Sequence, residues 1–142
     1  MCGIAGFYNL TCSAFTAAHK HLDAMQALLI HRGPDASGIW TSDEHQVGLT
    51  SRRLSIIDLS EAANQPMQRG DVVAVFNGEI YNYQAVRTEL EALGYVFWSH
   101  SDTEVIINGY KAWGIDVLKR LDGMFAIALY DMTSRQFFLV RD

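Results

Sequence analysis

The chain has 142 residues, a length typical of a single domain with one hydrophobic core. Hydrophobic residues make up 49% of the chain and the net charge is −5 without a basic run, which argues against binding to nucleic acid or to an anionic membrane surface. No apolar stretch approaches the ~20 residues of a membrane span, the start lacks a basic leader, and two cysteines do not make a disulfide framework, so a cytoplasmic location is expected.

Residues 2–8 are small and apolar, and they predict the first buried strand. After a turn, apolar residues recur every three or four positions between residues 14 and 30, which predicts an amphipathic helix. The helix is expected to stop before Gly33-Pro34. Residues 37–41 and 47–50 then predict two strands that are joined by a polar turn.

The middle of the chain contains the clearest strand signal, the apolar run Val72–Phe76, which is typical of a strand buried on both faces. Before it, residues 52–59 begin as a strand and continue as a loop to residue 67. We expect the Val72–Phe76 strand to end in a turn at Asn77-Gly78-Glu79, because Asn-Gly pairs favour turns.

Helices are predicted in the second half of the chain. Asn82 can cap a helix that ends at Gly94, and Ser101-Asp102-Thr103-Glu104 is a capping-box pattern that opens another helix. Residues 95–98 predict a short strand between these helices, and residues 124–130 and 136–140 predict a hairpin. Strands before and after helices favour an α+β or a layered α/β fold. The last apolar strand would be an unprotected sheet edge, so we expect a chain that is cut short.

Cys2 is the first candidate for catalysis. If Met1 is removed, Cys2 carries both a thiol and a free α-amine, so one residue supplies a nucleophile and its own candidate base. The alternative is an ordinary small apolar residue in a first strand. The assignment therefore depends on whether the rest of the chain supplies groups that bind a substrate.

Asn77 and Gly78 are candidates for an oxyanion hole. An asparagine side-chain amide and a glycine N–H at the end of a buried strand offer two hydrogen-bond donors, which is what the developing oxyanion of acyl transfer needs. The alternative is an ordinary Asn-Gly turn.

Three charged residues complete the set of candidate binding groups. The guanidinium of Arg53 could bind a carboxylate in a bidentate manner, and the acids Glu79 and Asp102 could hold an ammonium group. The alternatives are a surface arginine and a helix cap. Together with the oxyanion donors, these groups describe a pocket for an α-amino acid with a reactive side-chain carbonyl, and glutamine fits that description.

The remaining polar residues give weaker signals. The histidines show no zinc-ligand spacing, so no metal site is predicted. A Cys–His dyad of Cys2 with His31 or His100 stays open as an alternative. Cys12 lies in a predicted polar turn and has no assigned role.

Several segments identify the chain as similar to a known family. In this order, the sequence contains MCGIAGF, HRGPD, RRLSIIDLS, NQPM, FNGEIYNY, SDTEVI, GMFAIALYD and the closing RD. They resemble the glutamine amidotransferase domain of glutamine-hydrolysing asparagine synthases, which are class II amidotransferases, and the resemblance covers the whole chain. One departure is Ser51, where relatives often carry histidine.

The resemblance implies an N-terminal-nucleophile hydrolase fold. This is an α+β four-layer αββα sandwich of two antiparallel sheets between helices, here C-terminally incomplete, and residues 2–142 would be a partial glutamine amidotransferase type-2 domain. Cys2 would be the nucleophile and its α-amine the base, while the Asn77 side chain and the Gly78 N–H would form the oxyanion hole. The implied glutamine-binding residues are Arg53 for the α-carboxylate, Glu79 and Asp102 for the α-ammonium, and Leu54, Ser55, Ile56 and Ile57 as a pocket wall.

The resemblance also implies what lies beyond this domain. In the family, ammonia passes to a C-terminal synthetase domain that uses ATP and Mg²⁺ to adenylate aspartate. No Ser-Gly-Gly-x-Asp-Ser run is present, so no cofactor is expected here, and the expected partners are L-glutamine and the absent synthetase domain. A homodimer of the full-length form stays open. The alternatives are a truncated, non-catalytic fragment and the glutaminase part of a relative that amidates a sugar or a peptide.

Overall fold

The computed structural model describes residues 2–11, 15–55 and 58–142. Its first sheet, sheet A, has three antiparallel strands in the order β1 (Gly3–Tyr8), β3 (Val47–Arg53) and β2 (Ala36–Thr41). Helix α1 (Ala18–Leu28) lies between β1 and β2 in the chain and packs on this sheet.

The strands of sheet A agree with the predicted ones, but α1 is shorter than the predicted helix over residues 14–30. Residues 15–17 lie outside α1, and Ala17 has a left-handed backbone conformation with φ of 67°, which an α-helix cannot contain. Leu22 is fully buried at the contact between α1 and Gly48 of β3.

The second sheet, sheet B, has four antiparallel strands in sequence order: β4 (Met67–Arg69), β5 (Val72–Ile80), β6 (Gly123–Asp131) and β7 (Gln136–Arg141). Between β5 and β6 the chain forms α2 (Tyr83–Ala92), α3 (Asp102–Trp113) and a 3₁₀ helix (Gly114–Arg120). Another 3₁₀ helix (Glu61–Ala63) precedes β4. The β6–β7 hairpin was predicted, whereas β4, which begins at Met67 where the predicted loop ends, was not.

Two buried clusters define four layers. Between the sheets, Val47 and Leu49 of β3 pack against Val73 and Val75 of β5. On the opposite face of sheet B, alternate residues of β5 and β6 pack against α3 through Ile106 and Ile107. With α1 on the outer face of sheet A, the order of layers is helix, sheet, sheet, helix. This confirms the predicted α+β sandwich of two antiparallel sheets between helices. Within the described ranges, no helix is long and apolar enough to cross a membrane.

The prediction of a turn at Asn77-Gly78-Glu79 is wrong, because β5 continues through these residues to Ile80. Strand β6 pairs with the whole segment, from Asn77 opposite Ala126 to Ile80 opposite Gly123. Gly78 has a φ of 154°, and a Cβ there would overlap the carbonyl oxygen of Met124. Glycine therefore allows the two strands to approach closely where the dipeptide suggested a turn.

The predicted short strand at residues 95–98 is also wrong, since this segment is a loop. The side chain of Glu104 holds it in place: its carboxylate accepts hydrogen bonds from the N–H groups of Trp98 (3.1 Å) and Ser99 (2.8 Å). Ser101 caps α3 as predicted, because its hydroxyl accepts the N–H of Thr103 at 3.1 Å. Glu104 thus binds the preceding loop rather than returning to Ser101, as a capping box would require.

Helix α2 confirms the predicted element but not its predicted side-chain cap. Asn82 occupies the cap position, yet its amide donates to the carbonyl of Arg120 (2.8 Å) and accepts the N–H of Asp122 (3.0 Å). Gly94 follows the end of α2 with a φ of 92°, as expected of a glycine that terminates a helix.

Candidate active site

A cavity of about 220 Å³ lies where sheet A, sheet B and the start of α3 meet. Sheet A contributes Cys2, which precedes β1, and Arg53, the last residue of β3. Sheet B contributes the end of β5, and α3 contributes its first turn. The lining residues are Cys2, Arg53, Leu54, Asp58, Ala63, Gln65, Phe76, Gly78, Glu79, Ser101, Asp102, Thr103 and Met124. Most of the predicted site residues are therefore brought together in one place.

A larger open groove of about 650 Å³ lies beside Arg69, Trp98 and Lys111. It contains none of the predicted site residues. The guanidinium of Arg69 is already paired with Glu104 at 2.9 Å and lies over the ring of Trp98. We therefore assign the chemistry to the smaller cavity.

Cys2 is half-buried at the wall of the cavity. Pairing of β1 with β3 sets Gly3 opposite Arg52, and this register brings Cys2 to the backbone of Leu54. The Leu54 N–H lies 3.5 Å from Sγ and its carbonyl oxygen lies 3.7 Å from Sγ. These two contacts hold the sulfur of Cys2 against the backbone of Leu54 at the wall of the cavity. Met1 lies outside the described residues.

The backbone N–H groups of β5 place a free donor at the cavity. The N–H of Tyr81, just after β5, donates to the carbonyl of Asp122, just before β6, at 2.7 Å. Because the N–H groups of an antiparallel strand alternate in direction, those of the odd-numbered residues of β5 point toward β6. The N–H groups of Phe76, Gly78 and Ile80 therefore point away from β6, toward the other edge of β5. The Phe76 N–H donates to Oε1 of Gln65 (2.6 Å), and the Ile80 N–H donates to Oδ2 of Asp102 (3.2 Å). Between them, the Gly78 N–H has no acceptor in the described part of the chain.

Asn77 is not among the lining residues. By strand alternation its side chain is on the face of β5 that carries Val73 and Val75 and packs against sheet A, whose strand β1 begins directly after Cys2. The Oδ1 atom of Asn77 is buried and has no hydrogen-bond partner among the described residues. A buried amide oxygen without a partner costs free energy, so such groups in native proteins call for a functional explanation. Oδ1 of Asn77 is therefore not committed to a hydrogen bond that holds the described part of the fold together.

Arg53 is buried at the end of β3, with 7% of its surface exposed. Its guanidinium donates to the carbonyls of Ser60 (3.0 Å) and Asp58 and to Oδ1 of Asn64 (3.0 Å). Because a guanidinium has five N–H donors, these contacts fix its plane and leave two donors without an acceptor among residues 2–11, 15–55 and 58–142. Two donors are what bidentate binding of a carboxylate requires.

Asp102 is the first residue of α3 and is 5% exposed. Burial raises the pKa of its carboxyl above the ordinary value, although hydrogen bonds from the N–H groups of Ile80 and Thr103 work in the opposite direction. The nearby charge of Glu79 adds to the increase. Glu79 itself is an exposed lining residue. Both predicted acids thus border the cavity. A cation bound between them would favour the ionised form of the buried Asp102 carboxyl by offsetting its burial and its repulsion by Glu79.

The predicted pocket wall is described only in part. Leu54 lines the cavity, whereas Ser55 does not and donates its N–H to the carboxylate of Asp35 at 2.8 Å. Ile56 and Ile57 lie outside the described residues, as does Cys12. His31 and His100 are not among the lining residues, so the alternative dyad with Cys2 gains no support.

Sequence reasoning missed Asp58 and Gln65, which both line the cavity. Asp58 accepts the N–H groups of Ser60 (2.8 Å) and His100 (2.7 Å). Burial works to raise the pKa of its carboxyl, but these hydrogen bonds and the charge of Arg53 outweigh burial and hold the pKa below its ordinary value. The segment NQPM, which includes Gln65, gave a signal only as part of the resemblance.

Comparison with a solved structure defines the class of fold. Glutamine phosphoribosylpyrophosphate amidotransferase from Bacillus subtilis, solved with ADP and GMP, matches with a TM-score of 0.75 and 18% identity over 100% of this chain and 37% of its own. The chain therefore shares the fold of the matching part of that amidotransferase.

The sequence comparisons define the family. The model of the glutamine amidotransferase domain matches residues 1–142, and the chain belongs to this family. Asparagine synthetase [glutamine-hydrolyzing] 1 from Bacillus subtilis is 42% identical over 100% of this chain. Amidase chry2 from Gibberella zeae is 43% identical over 87% of it. The chain spans only 22% and 18% of the lengths of these relatives.

Proposed function

We propose that this domain hydrolyses the side-chain amide of L-glutamine through a thioester on Cys2. The observation that carries the proposal is the convergence of a thiol, an unused strand N–H and three charged residues on one small cavity: Cys2, Gly78, Arg53, Glu79 and Asp102. Arg53 would bind the α-carboxylate, and Asp102 with Glu79 would bind the α-ammonium. Binding at both groups orients the side-chain carbonyl toward Sγ.

The first half of the reaction forms the thioester. With Met1 removed, the α-amine of Cys2 takes the thiol proton while Sγ attacks the amide carbon of glutamine. The oxygen of that carbonyl becomes an oxyanion, which would accept hydrogen bonds from the Gly78 N–H and the Asn77 amide. The C–N bond then breaks, and the proton held by the α-amine leaves on ammonia.

The second half regenerates the enzyme. Water attacks the thioester carbon and gives its proton to the α-amine, and the same donors stabilise the second oxyanion. The C–S bond breaks, glutamate leaves, and Sγ recovers the proton. No step needs a metal or a redox cofactor from this domain.

The ammonia would serve a second active site. We propose a C-terminal synthetase domain as its consumer, with ATP and Mg²⁺ bound there and aspartate amidated to asparagine. The identity to the asparagine synthetase of Bacillus subtilis supports this acceptor. The similar identity to amidase chry2 favours keeping a different acceptor, such as a sugar or a peptide, as a second candidate.

The central experiment compares wild-type protein with Cys2→Ala for release of glutamate from glutamine. We expect activity only in the wild type, with the mass of the intact protein showing loss of Met1. Equal thermal unfolding of the two proteins would establish that the variant is folded. Full activity in Cys2→Ala would disprove the nucleophile assignment. A cooperatively folded wild type without Met1 and without activity would favour a non-catalytic module.

A further inference from the structure

Gln65 makes hydrogen bonds that join three parts of the cavity wall. It is 7% exposed and stands between the 3₁₀ helix Glu61–Ala63 and β4. Its Oε1 accepts the N–H of Phe76 on β5, and its Nε2 donates to Oγ1 of Thr103 on α3 at 3.1 Å. Its main-chain oxygen accepts the hydroxyl of Ser51 on β3 at 2.6 Å.

The side chain of Gln65 takes the place of a strand. Strand β4 pairs with β5 as far as Met67 opposite Ala74, and the same register would put Gln65 opposite Phe76. The main chain of Gln65 turns instead toward sheet A, where its oxygen meets Ser51 and lies tightly against Gly38. The amide oxygen of its side chain then accepts the N–H that the missing strand would have bound.

The hydrogen bond from the Phe76 N–H to the Gln65 side chain fixes the position of the proposed oxyanion donor, the Gly78 N–H. Phe76 and Ile80 are each held by a side chain, from Gln65 and Asp102 respectively, and the Gly78 N–H lies between these two fixed points. A third strand residue opposite Gly78 would have consumed its N–H. Gln65 therefore ends the backbone pairing while it still anchors β5.

The second hydrogen bond fixes the group that would hold the substrate's ammonium. Thr103 is 1% exposed and directly follows Asp102 in the first turn of α3. The bond from Nε2 of Gln65 to Thr103 therefore sets the distance between the oxyanion strand and the Asp102 carboxylate. One side chain links the two ends of the proposed glutamine site.

We infer that Gln65 is a positioning residue for the proposed glutaminase reaction, coupling the oxyanion donor of β5 to the ammonium-binding end of α3. This inference rests on the proposed function. Each of its two side-chain hydrogen bonds has a separate kinetic consequence. The bond to Phe76 acts on the transition state and so on kcat, whereas the bond to Thr103 acts on substrate binding and so on KM.

The test compares Gln65→Met with Thr103→Val, measured as glutamate release at a temperature well below unfolding. Methionine keeps the length of glutamine but loses both hydrogen bonds, and we expect kcat to fall by about tenfold or more and KM to rise because the donor and the ammonium-binding group are misplaced. Valine removes only the acceptor of the Gln65 amide, and we expect a raised KM with kcat within about twofold of wild type. Gln68→Met is the matched control, because Gln68 lies on β4 away from the cavity.

The outcomes separate this inference from the proposed function. Wild-type kcat and KM in Gln65→Met, or the same loss in Gln68→Met, would overturn the role of Gln65. If Gln65→Met does not fold, an unchanged KM in Thr103→Val overturns it, and a raised KM alone supports it. Absence of glutamate release from the wild type would refute the proposed function and this inference with it. Activity in the wild type with no effect in either variant would refute the inference alone.

Discussion

Asp102→Asn is the substitution that tests substrate recognition most directly. It replaces a carboxylate with an amide of the same shape, so the contact with the Ile80 N–H can be kept through the amide oxygen. What is lost is the negative charge in a residue that is 5% exposed. The variant therefore isolates the proposed interaction of Asp102 with the α-ammonium of glutamine.

The size of the effect follows from the kind of bond removed. A hydrogen bond to a charged group contributes about 1.5–3 kcal/mol, which corresponds to roughly 10- to 150-fold in affinity. We expect KM for glutamine to rise by that range while kcat changes far less, because the ammonium is remote from the reacting carbonyl. Glu79→Gln is the matched control, and its smaller effect should reflect the exposure of Glu79.

The pH dependence gives a second, independent measurement. Burial raises the pKa of Asp102, so the proton stays on this carboxyl to a higher pH than on an ordinary aspartate. Only the ionised form attracts the ammonium, and kcat/KM in the wild type should therefore fall as the pH is lowered through this raised pKa. Protonation of the α-amine that acts as base lowers activity in both proteins. Initial rates of glutamate release across the acid range should therefore show a larger fall of kcat/KM in the wild type than in Asp102→Asn.

Stability should move in the opposite direction from activity. Because the pKa of Asp102 is higher in the folded than in the unfolded state, its contribution to stability is present at low pH and is lost as the pH rises through the folded pKa. At neutral pH, Asp102→Asn should unfold at the same or a higher temperature than the wild type. An unchanged KM, or a fall of kcat/KM at acid pH that is the same in the variant as in the wild type, would refute this account of Asp102.

Three further predictions concern neighbouring residues. Asn77→Ala should lower kcat by about 10²–10³-fold with little loss of thermal stability, since its buried Oδ1 has no partner in the described structure; a destabilised variant would contradict this. Gly78→Ala should unfold at a lower temperature and lose activity, because the added Cβ would overlap the Met124 carbonyl, and wild-type thermal unfolding would exclude that overlap. Glu104→Ala should lower the free energy of unfolding by about 3–5 kcal/mol, because it leaves Arg69 and the loop N–H groups without their acceptor. Denaturant titrations would measure this loss, and a loss below about 1 kcal/mol would disprove the prediction.

Glu104 also predicts an acid sensitivity of the fold. Burial acts to raise the pKa of its carboxyl, but hydrogen bonds from Ser99, Arg69 and Trp98 outweigh burial and lower the pKa. The resulting stabilisation is complete above the pKa of an unfolded glutamate and is lost as the pH falls through the lower folded pKa. Denaturant titrations at decreasing pH should show this loss in the wild type and a smaller one in Glu104→Ala.

Local patterns predicted those parts of the fold that depend on local physics. Apolar alternation and apolar runs located β1, β3 and the first half of β5, and capping residues located α3. The Asn77-Gly78 dipeptide misled, because its preference for a turn is overridden by pairing with a strand more than 40 residues away. Residues 95–98 have strand-forming side chains, but the Glu104 carboxylate satisfies backbone groups there instead of a neighbouring strand.

The sequence suggested the chemical groups of the candidate site, but not the contacts that hold those groups in place. A nucleophile, oxyanion donors, an arginine and acids can be proposed from residue types, because each type has a limited chemical repertoire. The role of Gln65 could not be proposed from the sequence. It depends on one side chain that takes the place of main-chain pairing between segments that are remote in sequence. Likewise, nothing in the sequence indicates that Arg53 would be held by the carbonyls of the loop that follows it.

The way β5 ends its pairing also bears on aggregation. A row of unpaired N–H groups at a sheet edge is a template on which another extended chain can assemble. Here the side chains of Gln65 and Asp102 accept the N–H groups on both sides of Gly78, so in the described part of the chain a single N–H at this point of the edge is left without an acceptor. An extended peptide needs several such groups in succession, whereas one carbonyl oxygen needs only one. The proposed amide substrate would find the one donor that it needs at this strand edge, whereas a second polypeptide would not find the row of donors that it needs.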